Sequence, residues 1–212
     1  LREGGTMSDI YIKHELKRDP NGSIAIDPSS GNLSMQEVGQ RKAGHLAPNY
    51  NMGWNNSISY QGLTLGFVLS ARVGGLAYSA TQGILDYYGG SKATADARDN
   101  GGVPVNFGKV DAKKYYQTIA TAEGGYGSYY LYSATNVRLQ ELSLSYDLPK
   151  KWFNNKLNLS IGLLARNLWM IYCKAPFDPE LSASTSSNYY QGVDYFMLPS
   201  TRNIGFNVKV QF

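Results

Sequence analysis

Few residues in this chain are of the kinds that perform chemistry, and none stands at a working spacing. The single cysteine, Cys173, has no second thiol for a disulfide or a thiolate metal site. His14 and His45 are too few and too isolated for a zinc cluster. Asp178 and Glu180 form a carboxylate pair of the type used in glycoside hydrolysis. Nothing around them resembles such a site, and Phe177-Asp178-Pro179-Glu180 reads as a proline-fixed turn. There is no Ser/His/Asp order with a nucleophile elbow, no metal-ligand spacing and no phosphate loop. The expectation is a chain that is not an enzyme, with no catalytic residue, no metal and no cofactor.

The side chains left to consider are cationic and aromatic. Arg72, Arg138, Arg166 and Lys209 each occupy the polar positions of an alternating stretch. Tyr87, Tyr88, Tyr129, Tyr130, Tyr189 and Tyr190 come in pairs outside those stretches. Such rings could stack on sugars or line a peptide path, or equally serve as interfacial aromatics and loop packing. Asp96, Arg98 and Asp99 read as a solvated charged loop.

Composition narrows what could position these groups. The chain carries 17 Tyr and 23 Gly in 212 residues, with a mean hydropathy of −0.34. No run approaches the roughly 18 to 20 apolar residues of a membrane helix, whereas a membrane-spanning strand needs only about 9 to 11 alternating ones. The net charge is +4, but the 20 Lys and Arg are scattered without a basic stripe, so no nucleic-acid partner is expected.

Alternation is cleanest in residues 204–212. Ile204, Phe206, Val208, Val210 and Phe212 stand between Gly205, Asn207, Lys209 and Gln211, giving one apolar and one polar face. A closed outer-membrane barrel needs such a last strand to pair with its first and leave no edge. Taken alone, the segment also suits the final strand of a soluble sandwich. Residues 50–60 and 63–73 make an alternating hairpin about Gln61-Gly62. In the second of these, Leu63, Leu65, Phe67, Leu69, Ala71 and Val73 share a face. Within 137–148 the parity slips, and a bulge near Gln140-Glu141 restores a single apolar face and sends Arg138 to the other. Leu157, Leu159, Ile161, Leu163 and Ala165 share the face of the next strand. Trp54, Tyr60, Tyr146 and Trp169 are placed for aromatic girdles.

The connections alternate in length. Turns at Gln61-Gly62 and 149–156 are short; the insertions at 74–135 and 171–203 are long. Short periplasmic turns with long external loops are the asymmetry of outer-membrane barrels. A charge facing lipid at midplane costs about 2 to 4 kcal/mol, so keeping Arg72, Arg166 and Lys209 on the polar parity carries weight. The expected division is an external hairpin and loop region (1–49), a barrel hairpin (50–73), a long external loop (74–135), barrel strands (136–170), a second external loop (171–203) and the terminal strand (204–212). Within 74–135 a short helix is expected at 111–121, with Asp111 as its N-cap. Short strands are expected around 10–16 and 23–26. The chain opens on Leu1-Arg2-Glu3 without an initiator Met, and is expected to be the C-terminal piece of a longer protein.

In order and spacing, these residues resemble the C-terminal part of a SusC/RagA-type TonB-dependent outer-membrane transporter of Bacteroidota. The resemblance rests on Gly4-Gly5 with Asp9-Ile10-Tyr11, Arg18-Asp19, Asn21-Gly22 and Ile26-Asp27. It continues in Ala47-Pro48-Asn49-Tyr50, Ser59-Tyr60-Gln61-Gly62 and Arg72-Val73-Gly74-Gly75. Asn136-Val137-Arg138-Leu139 leading to Leu144-Ser145-Tyr146-Asp147-Leu148-Pro149 is its most family-like stretch. Arg166-Asn167-Leu168-Trp169, Phe177-Asp178-Pro179-Glu180 and Pro199-Ser200-Thr201-Arg202 complete it. The resemblance implies an all-β fold: the last strands of an antiparallel transmembrane barrel of about 22 strands, with the plug domain upstream. It implies a SusD-like lipoprotein lid, energy from the TonB system, and glycan or oligopeptide cargo, in contact with outer-membrane lipid. Arg72, Arg138, Arg166 and Lys209 would then face the lumen, and the 204–212 alternation would close the barrel. The competing readings are a soluble β-sandwich carbohydrate-binding or adhesin-type module, and a passive barrel without a plug.

Overall fold

In chain order the strands of the computed structural model are β1 (Asp9–Leu16), β2 (Met35–His45), β3 (Tyr50–Tyr60), β4 (Leu63–Val73), β5 (Leu76–Ser79), β6 (Val103–Val105), β7 (Gly108–Val110), β8 (Leu131–Ser133), β9 (Asn136–Asp147), β10 (Asn158–Cys173), β11 (Val193–Asp194) and β12 (Asn203–Gln211). Three helices, α1 (Ala80–Tyr87), α2 (Lys92–Asp99) and α3 (Ala112–Ala120), fall between β5 and β8. The structure describes residues 3–120, 127–154, 156–181 and 191–211. Phe212, Tyr126, Tyr189, Tyr190 and the Gly124-Gly125 pair lie outside these residues.

The chain forms two compact units. The first comprises Leu1–Ala47, Leu76–Tyr132 and Ser182–Met197; the second comprises Pro48–Gly75, Ser133–Leu181 and Leu198–Phe212. The second unit is built on one antiparallel sheet of order β12-β10-β9-β4-β3. Gln61 and Gly62, at φ 47° and 85°, make the two-residue turn between β3 and β4. Positive φ at both central residues matches the right-handed twist of the flanking strands. A Cβ on Gly62 would meet the carbonyl oxygen of Asp147 at 2.9 Å, so glycine is required there twice over. In β9, Glu141 faces Val68 and Leu139 faces Leu69, which leaves Gln140 as the bulged residue. Against the same point β10 carries two extra residues, Asn167 and Leu168, between Arg166 and Trp169. Asn167 takes up the irregularity at φ 51°. β10 runs on to Cys173, beyond the expected strand end at 170.

The first unit has a different character. β1 pairs with β2, while 23–26 makes only the isolated bridges Arg18↔Ile24 and Ile26↔Leu33. Small sheets β11-β5-β8 and β6-β7 accompany the three helices. Ser79 and Ser91 cap α1 and α2, each accepting a backbone N–H three residues on. Asp111 does the same for Lys114 at the start of α3. A hydrophobic core joins Leu16, Ile24, Leu33, Val105, Val110, Tyr115, Ile119 and Tyr130. It is dry enough that burial pushes the Tyr115 phenol up to about 12.

Candidate functional site

Directly opposed residues on antiparallel strands share a face, so the register resolves the five-stranded sheet into two surfaces. Phe206, Leu163, Leu144, Leu65 and Ile58 form one continuous row across all five strands. Val208, Ile161, Tyr146, Leu63 and Tyr60 form the next. On the opposite surface the intervening row is Asn207, Gly162, Ser145, Thr64 and Ser59. The paired bulges at Gln140 and Asn167-Leu168 keep this sorting intact, so Trp169, Leu139, Leu69 and Trp54 also align on the apolar surface.

A soluble sandwich would bury that apolar surface. Here Leu65, Leu144, Ile161 and Val208 are 38%, 41%, 46% and 55% exposed. Among the described residues of this unit the buried apolar side chains are Ala134, Ala175 and Pro179, none of them on a strand of the sheet. The hydrophobic core belongs to the first unit, where residues 1–47 contribute Leu16, Ile24 and Leu33, while the five-stranded sheet leaves its apolar rows exposed.

Ile204, Phe206, Val208 and Val210 of β12 are all exposed; Phe212 lies outside the described residues. Trp54, Tyr60 and Trp169 are exposed on the apolar surface, and Tyr146 is half-buried there. Trp54 packs edge-on against Phe67 with centroids 5.3 Å apart. Six residues separate the Leu63 row from the Leu69 row, so the Tyr60/Tyr146 tier and the Trp54/Trp169 tier stand about 20 Å apart along the strands.

The four cations expected to face a lumen all fall on the polar surface, in different settings. Lys209 is exposed, opposite Ser160. Arg166 is exposed and donates from Nε to Glu141 Oε2 at 3.1 Å. Arg72 is half-buried opposite Asn51 and Asn136. Arg138 departs from the expectation of a cation open to a lumen, being only 5% exposed. Its Nη2 donates to Asp178 Oδ1 at 2.7 Å and its Nη1 to Oδ2 at 3.3 Å, a two-pronged pair. Glu180 stands 3.4 Å from the same Nη2. Asp178 further accepts from Ser200 Oγ at 2.7 Å and from the Glu180 backbone N–H at 3.1 Å. Burial pushes the Asp178 carboxyl up, but the hydrogen bonds from Arg138, Ser200 and Glu180 outweigh it and hold it below the usual carboxylate range. The Phe177-Asp178-Pro179-Glu180 turn is therefore a clasp on Arg138 rather than an open acidic pair. Forty residues separate Arg138 from Asp178, and no spacing rule in the sequence points to the contact.

The tyrosines divide. Tyr87 and Tyr88 are exposed and stack edge to face with centroids 5.1 Å apart. Tyr130 is corrected from a candidate ligand contact to a core side chain, 3% exposed among the hydrophobic residues of the first unit. Tyr129 packs partly against that core. Tyr189 and Tyr190 lie outside the described residues. No group of His, Cys, Asp and Glu among the described residues is arranged to hold a metal ion.

No protein-family model matches the chain. A TonB-dependent receptor, P3, of Formosa agariphila is 25% identical over 99% of this chain and 21% of its own length. The solved structure of the RagAB peptide transporter superposes with a TM-score of 0.58 at 21% identity, covering 96% of this chain and 22% of that one. The RagAB peptide importer in its "closed-closed" state gives a TM-score of 0.57 at 20% identity over the same shares. The chain thus spans about a fifth of the length of the proteins it matches. These likenesses bear out the resemblance of the motifs to a SusC/RagA-type TonB-dependent transporter, and the chain has the antiparallel fold of a partial β-barrel.

Proposed function

We propose that the chain supplies part of the wall and external loops of an outer-membrane, TonB-dependent nutrient importer. In this reading the apolar surface of the five-stranded sheet meets lipid, and the polar surface with Arg72, Arg166 and Lys209 borders a watery lumen. The first unit, drawn from residues 1–47 and from the long insertions, supplies the external loops. The observation that carries the reading is the sheet's sorting: exposed apolar rows on one surface and every strand-borne cation on the other. Lipid tolerates such a surface, whereas water penalises it by about 25 cal/mol for each Å² of apolar area.

The related receptor's name supports the TonB dependence, and the RagAB titles support a transport role. The cargo is an oligosaccharide or an oligopeptide, admitted beneath a SusD-like lipoprotein lid; the RagAB proteins are titled as peptide carriers. Removing the gene and growing the cells on defined glycans and defined peptides as sole carbon source tests this. The expected result is loss of growth on one class, reproduced by inactivating TonB. Unimpaired growth on every substrate that the intact cells use would overturn the import reading.

A further inference from the structure

The first unit contains a concavity that the import reading leaves without a role. It encloses about 340 Å³ between the end of α1, the start and end of α2, and the first turns of α3. That volume lies at the lower end of the range for small-ligand sites. Its walls bring Tyr87, Tyr88, Arg98, Lys113, Tyr116 and Gln117 together, over the buried carboxyl group of Asp86.

The walls are tied to one another. Arg98 Nη1 donates to the Gly89 carbonyl at 3.1 Å, joining α2 to the turn after α1. The Tyr116 hydroxyl donates to the Ala93 carbonyl at 3.3 Å, joining α3 to α2. Gln82 Nε2 donates to Asp86 Oδ1 at 2.8 Å within α1. Ser79 and Ser91 fix the two helix starts. A site whose walls are already bonded loses little conformational entropy when it binds.

We infer that this concavity binds a small ligand through a single carboxylate, held by Lys113 and Arg98, with an adjoining apolar or ring face against Tyr88. Lys113 is exposed and carries a compact, mobile charge. Arg98 already spends one donor on Gly89 and has others on its guanidinium. Tyr88 is 81% exposed and held at right angles to Tyr87, a rigid amphipathic plate beside the two cations. Asp86 decides the charge of the ligand. A negative wall next to two positive groups leaves a net single positive charge, which suits a carboxylate and penalises a doubly charged phosphate. The carboxylate has two natural sources, the terminus or acidic side chain of a peptide and the uronate of an oligosaccharide.

The test uses the complete receptor in detergent and measures equilibrium affinity by calorimetry. One arm compares a tripeptide bearing a free C-terminal carboxylate with its C-terminal amide. The other compares a trimeric uronate with the neutral sugar reduced at its carboxyl groups. The acid of at least one pair should bind about tenfold tighter than its neutral counterpart. Lys113→Glu should abolish that preference, and Tyr88→Ala should weaken the acid about fivefold. Both side chains are exposed, so unchanged thermal unfolding of the two variants checks that they still fold. Equal affinity for acid and neutral forms in both arms, or unchanged affinity in folded Lys113→Glu, would overturn the inference. The proposal goes beyond the import reading, and its failure would leave the growth test untouched.

Discussion

At Arg138 the deciding quantity is burial. Its guanidinium and the Asp178 carboxylate have side chains 6% and 9% exposed, whereas Arg166 and Glu141 are 60% and 34% exposed. An exposed pair contributes about 0 to 1 kcal/mol, because water already satisfies both charges. Removing one partner of a buried pair leaves the other uncompensated and costs roughly 3 to 5 kcal/mol. Asp178→Ala should therefore lower the unfolding midpoint in detergent far more than Glu141→Ala does. Equal losses would mean that the clasp is solvated. The same pair sets an acid limit. The Asp178 carboxyl is held below its ordinary value, so its contribution is fully present above the unfolded carboxylate pKa of about 3.9. It is lost as pH falls through the lower folded value. The stability gap between the intact protein and Asp178→Ala should thus be constant from neutral pH down to about 5 and should close only below about 4. A gap already closing near neutrality would contradict the depressed carboxyl.

Among the elements, β4 offers the sharpest contrast between neighbours. Leu65 and Thr64 are adjacent in sequence and opposite in face, pairing with Leu144 and Ser145 of β9. Leu65→Arg should cost about 2 to 4 kcal/mol and deplete the protein from the outer-membrane fraction, because its charge would meet lipid. Thr64→Arg should assemble normally. Equal tolerance of the two substitutions would contradict the assignment of faces. β4 was also among the most legible parts of the sequence, for the same reason: strict alternation has a single solution once one face is apolar. The slip in β9 was legible as a bulge because only one inserted residue reconciles Leu139 with Leu142, and the register puts Gln140 there. β2 was not legible. It has no alternating apolar set, and Gly39 and Gln40 turn at φ 61° and 57° opposite an irregular β1 register. α1 and α2 escaped as well, since eight-residue helices are too short to show a periodic stripe and rest on their serine caps and tertiary packing. α3 was found through Asp111, a cap with a visible partner position.

For the whole molecule, orientation is the remaining physical question, and the three tryptophans of the chain report on it. Trp54 and Trp169 stand on the apolar surface in one row with Leu69 and Leu139. Trp152 belongs to the short 3-10 turn Lys150–Phe153 between β9 and β10, at the end of the sheet that also carries Gln61 and Gly62. It is 69% exposed there. A barrel wall with its long insertions outside puts Trp54 and Trp169 in the outer girdle, against the headgroup end of the acyl chains, and Trp152 at the periplasmic rim. Variants of the complete receptor that keep one of these tryptophans, the others replaced by Phe, can be reconstituted in bilayers brominated near the headgroup end of the acyl chains. Trp54 and Trp169 should lose fluorescence to the bromines and resist aqueous iodide, and Trp152 should do the reverse. The contrast rests on geometry, because quenching of this kind requires near contact. The rows place Trp54 and Trp169 about 20 Å along the strands from the tier at the turn end. If iodide reached Trp54 as readily as Trp152, the apolar rows would be facing water, and the sheet would need a protein partner in place of lipid.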